Sequence, residues 1–360
     1  MSDFIVVGAG LAGLLTAREL RATGAAVTIV EHGAVGRQAS WAGGGILSPL
    51  YPWTYPDAVN TLVAASQRLW PDLCEALRVA SGIDPECEAS GLLVLDEVAI
   101  ECGVQWASAA GVTAQVIDAT MRPSAMSGIR FPHARALLLP HVKQVRNPRL
   151  LAALRQSVVQ SGVRIVEHDP VTALRVERGR VQGVTTASAT YNSAAVVITA
   201  GAWTAELLRQ HGVSLAIRPV RGQMLLLRAA PGLFGPIVLY EGHYLIARRD
   251  GRVLVGSTME EVGFECRTTD AARVELLAYA RRLVPVLADA PIEQHWAGLR
   301  PGSPSGIPYI GALPCLAGLY VNAGHFRNGV VMGPASARLV VDLMLARSPL
   351  VDPRPYQPPS

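Results

Sequence analysis

The chain has few cysteines, and their spacing does not match a metal-binding pattern. The five cysteines among 360 residues are Cys74, Cys87, Cys102, Cys266 and Cys315. Their number is odd, none belongs to a Cys-x-x-Cys pair, and the histidine spacing is not that of a zinc site. We therefore expect reduced thiols and no metal centre.

An excess of charge of one sign is also lacking. The 32 lysines and arginines nearly balance the 28 aspartates and glutamates, which leaves a net charge of +4. Nucleic acids and anionic membranes need a basic run or patch, so neither is expected as a partner. A small anionic substrate stays open.

Long hydrophobic runs are missing as well. No segment approaches the roughly 18 uninterrupted apolar residues of a membrane span. Ser2-Asp3 stands where a signal peptide would carry basic residues, so we expect a soluble, cytoplasmic protein. Because 50% of the residues are hydrophobic, the chain buries a large core and is expected to divide into two domains.

A glycine-rich turn opens the chain. The apolar run Phe4–Val7 leads through Gly8, Gly10 and Gly13 into the helical pattern Leu14–Leu20. The first glycine permits the turn, the second lets the backbone approach a pyrophosphate, and the third lets the helix pack on the strand. A helix N-terminus also attracts phosphate. The pattern predicts a dinucleotide site.

An acidic residue follows the second strand. Ala26–Val30 ends at Glu31, about 20 residues after the turn, where an acid can bind a ribose hydroxyl. Since no arginine suited to a 2′-phosphate lies nearby, FAD or NAD is favoured over NADP.

The pattern of elements changes along the chain. Helical spacing over Asp57–Val79 and Arg149–Ser161 and a buried strand over Ala194–Thr199 favour a nucleotide-binding fold. From Arg218 to Met259 short alternating runs predict antiparallel strands. A last strand, Leu319–Asn322, then precedes a second glycine turn and a helix predicted over 334–346.

These elements predict an α/β protein with two interleaved domains. A Rossmann-like dinucleotide-binding domain takes residues 1–85, 143–215 and 298–360. An inserted, discontinuous α+β domain with an antiparallel sheet takes residues 86–142 and 216–297 and binds the substrate. The two glycine turns then lie at opposite ends of the sequence but in one sheet, where the second turn can reach the far end of a long cofactor.

Four segments carry a family resemblance: Val6–Gly13, Ser40–Pro49, Trp296–Gly302 and Ala323–Gly329. They resemble the D-amino acid oxidase family of flavoproteins and, within it, the glycine oxidases linked to thiamine biosynthesis. The likeness covers nearly the whole chain. It implies that the nucleotide-binding domain holds FAD and that the enzyme is a homo-oligomer, such as a tetramer.

The resemblance also implies a reaction. Glycine, sarcosine or a small D-amino acid is oxidised by O2 to an imine or glyoxylate, ammonia and hydrogen peroxide. Our hypothesis is that the Cα hydrogen leaves as hydride to flavin N5 from a substrate with a neutral amine, so no protein base is required. The imine of glycine would supply the thiazole of thiamine.

Carried over by position, the resemblance places cofactor contacts along the chain. Leu11 and Ala12 would contact the pyrophosphate, and Glu31 and His32 the adenosine. The Val171 backbone would hold the adenine. The middle of FAD and its ring would meet Ser40, Gly44, Gly45 and Ile46. The pyrimidine edge of the flavin would meet His325, Phe326, Arg327, Asn328, Gly329, Val330 and Val331.

Three residues are the substrate-binding and catalytic candidates: Tyr244, Arg300 and Arg327. A planar guanidinium holds a carboxylate by two parallel charge-assisted hydrogen bonds. Arg300 lies in an apolar, glycine-flanked segment, where an arginine without a partner would be costly to bury. The Tyr244 hydroxyl could donate to the same carboxylate, whereas Arg327 is predicted to hold either the substrate or the cofactor edge.

Several alternatives stay open. The preferred substrate could be sarcosine, D-alanine or D-proline, or the enzyme could be a dehydrogenase that passes electrons to a quinone rather than to O2. A flavin module acting on tRNA and a non-catalytic scaffold are different classes of function. Some relatives attach flavin through a cysteine in the segment that matches Trp296–Pro301; this chain has no cysteine there, so we predict dissociable FAD.

Overall fold

The computed structural model describes residues 2–359. Its α-helices, in chain order, are α1 (Leu11–Arg21), α2 (Ala39–Ala42), α3 (Asp57–Ser81), α4 (Ile100–Ala110), α5 (Asn147–Gln160), α6 (Thr204–Arg209), α7 (Asp270–Leu283) and α8 (Gly329–Met344).

The strands, numbered in the same way, are β1 (Phe4–Val7), β2 (Val27–Val30), β3 (Glu88–Ala89), β4 (Leu92–Val94), β5 (Gln115–Asp118), β6 (Arg135–Leu139), β7 (Lys143–Gln144), β8 (Arg164–Val166), β9 (Val171–Glu177), β10 (Arg180–Thr186), β11 (Thr190–Asn192), β12 (Ala195–Ile198), β13 (Arg218–Arg228), β14 (Ile237–Tyr240), β15 (His243–Ala247), β16 (Arg252–Gly256), β17 (Ile292–Gly302), β18 (Tyr309–Ala312) and β19 (Leu319–Ala323).

One sheet contains both ends of the sequence. Its six strands have the order β18-β19-β12-β1-β2-β8, and all neighbours except β18 and β19 run parallel. Helices α1, α3, α5 and α8 cover one face, and β9 to β11 with α6 cover the other, so the central strands are apolar on both sides. The prediction that the opening turn and the last strand share a nucleotide-binding sheet is confirmed.

The second large sheet is mainly antiparallel. Its eight strands have the order β17-β13-β16-β15-β14-β4-β6-β5, and only β4 and β14 pair in parallel. Leu245 packs on the face covered by α7, whereas its neighbour Tyr244 packs on the opposite face with Met224 and Ile46. Alternation along β15 therefore turns Tyr244 away from Leu245, as predicted.

The boundaries of the two domains stay a prediction. Strands of the six-stranded sheet lie within 1–85, 143–215 and 298–360, which supports the proposed division. Strand β17, however, runs without a break across the proposed boundary at residue 298. The proposed boundary therefore falls inside one strand.

The last helix begins earlier than predicted. The sequence places its start at Pro334, but α8 begins at Gly329 and contains the proline. Pro334 is the sixth residue of α8, where a residue normally donates its N–H to the carbonyl four residues earlier. Proline lacks this donor, so the packing of the helix in the core must outweigh the lost hydrogen bond. The correction matters because the N-terminus of α8 directly follows the second glycine turn. Within residues 2–359, no helix combines the length and the apolar character needed to cross a membrane.

Candidate active site

A cavity of about 410 Å³ lies between the two sheets. Its lining includes residues at the carboxyl ends of β1 and β12 and residues of β15 and β17 from the antiparallel sheet. In open α/β sheets, ligands bind at the carboxyl ends of neighbouring strands whose connections leave in opposite directions. The position of the cavity is therefore that of a dinucleotide site extended towards a second sheet.

Most of the predicted site residues line this cavity. They are Gly8, Gly10, Leu11, Ala12, Glu31, His32, Ser40, Gly44, Gly45, Ile46, Val171, Tyr244, Arg300, His325, Phe326, Arg327, Asn328, Gly329 and Val330.

Two predicted cofactor residues lie behind the lining. A Cβ on Gly13 would lie 1.9 Å from the Gly8 carbonyl oxygen, so Gly13 serves the close packing of α1 on β1. Val331 is buried, and its carbonyl accepts a hydrogen bond of 3.1 Å from Trp70 Nε1. Both residues support the site by packing.

Glu31 and the start of α1 form one end of the cavity. The Glu31 carboxylate accepts hydrogen bonds from the backbone N–H of Ala9 at 2.6 Å and of Gly33 at 3.0 Å. A carboxylate has further lone pairs, so it can also accept from ribose hydroxyls. Helix α1 begins close to this carboxylate, at Leu11. The Leu11 N–H donates a hydrogen bond of 2.9 Å to Ser40 Oγ. This end suits a ribose and a phosphate.

The second glycine turn carries buried polar atoms without partners. Within residues 2–359, His325 Nε2 and Asn328 Nδ2 are buried and make no hydrogen bond. Both residues line the cavity, and α8 begins directly after them. Buried polar atoms are costly unless paired, which indicates a ligand with polar groups at this end.

Arg300 is the main positively charged residue in the part of the cavity that faces the antiparallel sheet. Its Nη2 donates to Ser257 Oγ at 2.6 Å, and its Nη1 donates to the Thr258 carbonyl at 3.2 Å. Among residues 2–359 no carboxylate forms a salt bridge with it. Burial lowers the pKa of this guanidinium, and the nearby charge of Arg327 lowers it further. An incoming carboxylate would supply the missing counter-charge.

Tyr244 and Gly44 lie in close contact beside Arg300. Tyr244 is 6% exposed, and its hydroxyl lies 3.4 Å from Met224 Sδ. A Cβ on Gly44 would lie 2.8 Å from the Tyr244 ring, so only glycine allows this approach. The Gly44 carbonyl accepts a hydrogen bond of 2.8 Å from Arg248, which fixes the loop against the ring.

Arg327 contributes a second cation. Its Nη2 donates to the Gly242 carbonyl at 3.3 Å, in the turn between β14 and β15. In the described part of the chain it has no carboxylate partner. The structure thus brings Tyr244, Arg300 and Arg327 to one cavity, and their roles in substrate binding and catalysis stay a prediction.

Comparison with known proteins identifies the family. A family model described as FAD dependent oxidoreductase matches residues 3–343. The chain belongs to this family.

Three relatives span nearly all of the chain. It is 46% identical to the glycine oxidase of Pseudomonas aeruginosa, with 98% of both sequences covered. The crystal structure of glycine oxidase from Geobacillus kaustophilus matches with a TM-score of 0.95 at 30% identity, covering 99% of this chain and 98% of that one. The bifunctional protein ThiO/ThiG of Synechocystis is 32% identical over 97% of this chain and 53% of its own length.

The residues of the cavity fit the FAD of this family. Glu31 and the N-terminus of α1 suit its ribose and phosphates, and the unpaired His325 and Asn328 atoms suit a polar ring edge. Gly44 and Gly45 keep the loop beside Tyr244 free of side chains. FAD would be held by the parts of the cavity lined by Glu31, the start of α1 and the second glycine turn, and the part lined by Arg300 and Tyr244 is left for a substrate.

Sequence reasoning missed several residues around Arg300. Gly222 packs under the guanidinium, and Ser257 accepts a hydrogen bond from it. Arg300 pairs with Val220 across β13 and β17, so Gly222 is its diagonal neighbour. Only the register of this strand pair could have identified Gly222.

Replacing Gly222 with alanine is expected to weaken substrate binding while the fold is retained. A Cβ there would lie 2.1 Å from Arg300 Nη1, and this guanidinium is the mobile end of a long side chain. It would move rather than disrupt the backbone, so KM should rise by roughly tenfold. Steady-state kinetics with thermal unfolding as the control would test this. An unchanged KM would show that the contact between Gly222 and the Arg300 guanidinium does not position this side chain for substrate binding.

His325 predicts a pH dependence of stability. Burial lowers its pKa from 6.5 to about 4. The unfolded chain therefore binds a proton that the folded chain excludes, and the free energy of unfolding falls as the pH falls from 6.5 towards 4. The loss should reach up to about 3 kcal/mol. Urea unfolding across this range should show a shallower dependence for His325→Gln than for the original protein, and an equal slope would contradict the role given to His325.

Proposed function

We propose that this protein oxidises glycine to its imine, which water hydrolyses to glyoxylate and ammonia, while O2 takes up the two electrons and two protons as hydrogen peroxide. The observation that carries the proposal is Arg300, a guanidinium that has no carboxylate partner among residues 2–359 and lies in a cavity that fits FAD. The support from similarity is the glycine oxidase of Pseudomonas aeruginosa, which is 46% identical.

The chain's own residues would bind and orient the substrate. Arg300 pairs with the substrate carboxylate through two charge-assisted hydrogen bonds, and Tyr244 lines the same cavity, with its hydroxyl free to turn from Met224 Sδ to that carboxylate. Such fixed orientation can lower a barrier by about 7 to 11 kcal/mol. Arg327 adds positive charge that favours the anionic end of an amino acid.

FAD, when bound, accepts the two electrons of the substrate and passes them to O2. The protein needs no general base in this scheme, because an amino acid with a neutral amine has already lost its proton. His325 is the nearest candidate for a base, but a pKa of about 4 makes it a weak one. Its role is to contact the cofactor.

Anaerobic mixing with glycine tests the proposal. The oxidised flavin absorbance should bleach, and in air the enzyme should release peroxide from glycine. The same assay with sarcosine, D-alanine and D-proline sets the substrate order, since a methylene changes affinity by only about 1 to 3 kcal/mol. Bleaching by one of these but not by glycine would reassign the substrate; no bleaching by any would overturn an amino acid oxidase.

The flavin is predicted to be dissociable. In the part of the chain that the structure describes, no cysteine lines the cavity, and Cys315 is exposed. Acid precipitation should therefore leave the yellow colour in the supernatant. Colour that stays with the pellet would indicate a covalent bond.

The cellular context stays a prediction. The relation to thiamine biosynthesis is supported by the bifunctional ThiO/ThiG relative, of which this chain covers 53%. A homo-oligomer and a cytoplasmic location are likewise predictions. Sedimentation of the purified protein would test the first.

A further inference from the structure

Trp203 contacts two other aromatic rings, those of His32 and Phe264, beside the nucleotide end of the cavity. The ring centroids of His32 and Trp203 are 5.9 Å apart, and those of Trp203 and Phe264 are 5.6 Å apart. The planes are inclined by only 31° and 32°. Trp203 lines the cavity, whereas Phe264 lies outside it and is 45% exposed.

The position of Trp203 follows from the topology of the parallel sheet. Strand β12 lies next to β1, and the turn after its carboxyl end contains Trp203. His32, its ring neighbour, directly follows Glu31, the residue suited to the ribose. Trp203 therefore borders the nucleotide half of the cavity rather than the half with Arg300.

The residues around Trp203 are largely apolar, which favours a flat organic ring as the ligand at this end of the cavity. Pro170 and Val171 line the cavity, and so does Leu207 of the helix that follows Trp203. These apolar groups would contact the faces or edges of a purine, which a phosphate would not need. An aromatic side chain binds any base by stacking, because every base has a π-face.

The segment that carries Phe264 is held from the other sheet. Arg221 of β13 is buried and pairs with Glu260 at 2.5 Å and with Glu265 at 3.5 Å. These two acids flank Phe264 in the sequence. These ion pairs hold the segment of Phe264, whose ring contacts Trp203 but does not line the cavity.

We propose that Trp203 forms the aromatic wall of the adenine site of bound FAD and that Phe264 supports it from outside. This inference rests on the FAD of the family and is independent of the proposed substrate. If it is correct, the turn after β12, which contains Trp203, contributes to the binding free energy of the cofactor.

Displacement of FAD by ADP provides the test, because ADP contains only the nucleotide half. The holoenzyme is diluted until part of the FAD dissociates, and released flavin is measured by its fluorescence as ADP is added. This yields the dissociation constant of FAD and the competition constant of ADP without turnover. Trp203→Ala should weaken both by the same factor, at least about fivefold.

Three further variants make the result specific. Trp203→Phe keeps a ring and should retain most of the affinity for both ligands. Phe264→Ala should weaken the binding of FAD and of ADP by equal factors, and these factors should be smaller than those for Trp203→Ala. Trp106→Ala, at a tryptophan that packs against Trp53 outside the cavity, should change neither.

Two outcomes would overturn the assignment. If Trp203→Ala weakened FAD but left ADP unchanged, Trp203 would act on another part of the cofactor. If both constants stayed at their original values in a folded variant, it would have no role in binding. Neither result depends on whether glycine is the substrate, so the proposed function is tested separately.

Discussion

Replacing Arg300 with methionine is expected to raise the KM for glycine by roughly 10- to 150-fold, because a charge-assisted contact of about 1.5 to 3 kcal/mol is lost. Methionine keeps most of the side-chain volume, so the packing on Gly222 changes little. In the described part of the chain, no carboxylate forms a salt bridge with Arg300, and the variant therefore leaves no unpaired acid behind. Steady-state kinetics and anaerobic flavin reduction would measure the effect.

Two variants control this experiment. Arg300→Lys keeps the charge but loses the planar guanidinium, so its KM should lie between the KM of the original protein and that of Arg300→Met. Arg354→Met removes an arginine that pairs with Asp352 on the surface, and it should leave KM unchanged. A KM in Arg300→Met equal to that of the original protein would show that the carboxylate binds elsewhere, with Arg327 the next candidate.

Replacing Gly13 with alanine is expected to produce a protein that purifies without FAD. The added Cβ would lie 1.9 Å from the Gly8 carbonyl oxygen and 2.8 Å from Thr199 Oγ1. Because the first of these atoms belongs to the backbone, α1 must move away from β1, and the phosphate site moves with its N-terminus. We also expect a loss of about 1 to 3 kcal/mol in the free energy of unfolding.

The absorbance ratio of flavin to protein measures this loss of cofactor. Gly33→Ala is the matched control, since a Cβ there would meet only Glu31 Oε1 at 3.9 Å. It should retain FAD. Full flavin content in Gly13→Ala would mean that the helix and strand do not need to pack so closely, which would contradict the assigned role of the third glycine.

The nucleotide half of the site was predictable because its information is local. Strand β1, the glycine turn, α1 and Glu31 lie within the first 31 residues, and each has a steric or electrostatic reason to occur in that order. The substrate half was different. Arg300 and Tyr244 were identified through a family resemblance, since an arginine or tyrosine in an apolar segment can equally serve packing.

The second glycine turn shows where local reasoning is incomplete. The sequence marks Ala323–Gly329 as a turn but places the helix start at Pro334, five residues beyond the observed start at Gly329. Proline is a reliable signal for the beginning of a helix, yet tertiary packing can also hold it inside one, at the cost of a backbone hydrogen bond. The start of α8 at the cavity edge became evident only from the structure.

By itself, the sequence determined the fold class, the dinucleotide turn and its acid, because these depend on neighbours along the chain. Tertiary structure alone decided that Gly222 supports Arg300, that Arg248 fixes the Gly44 loop and that Trp203 stands beside His32. These contacts join residues far apart in the sequence. They depend on strand register and on the packing of two sheets, which no single segment encodes.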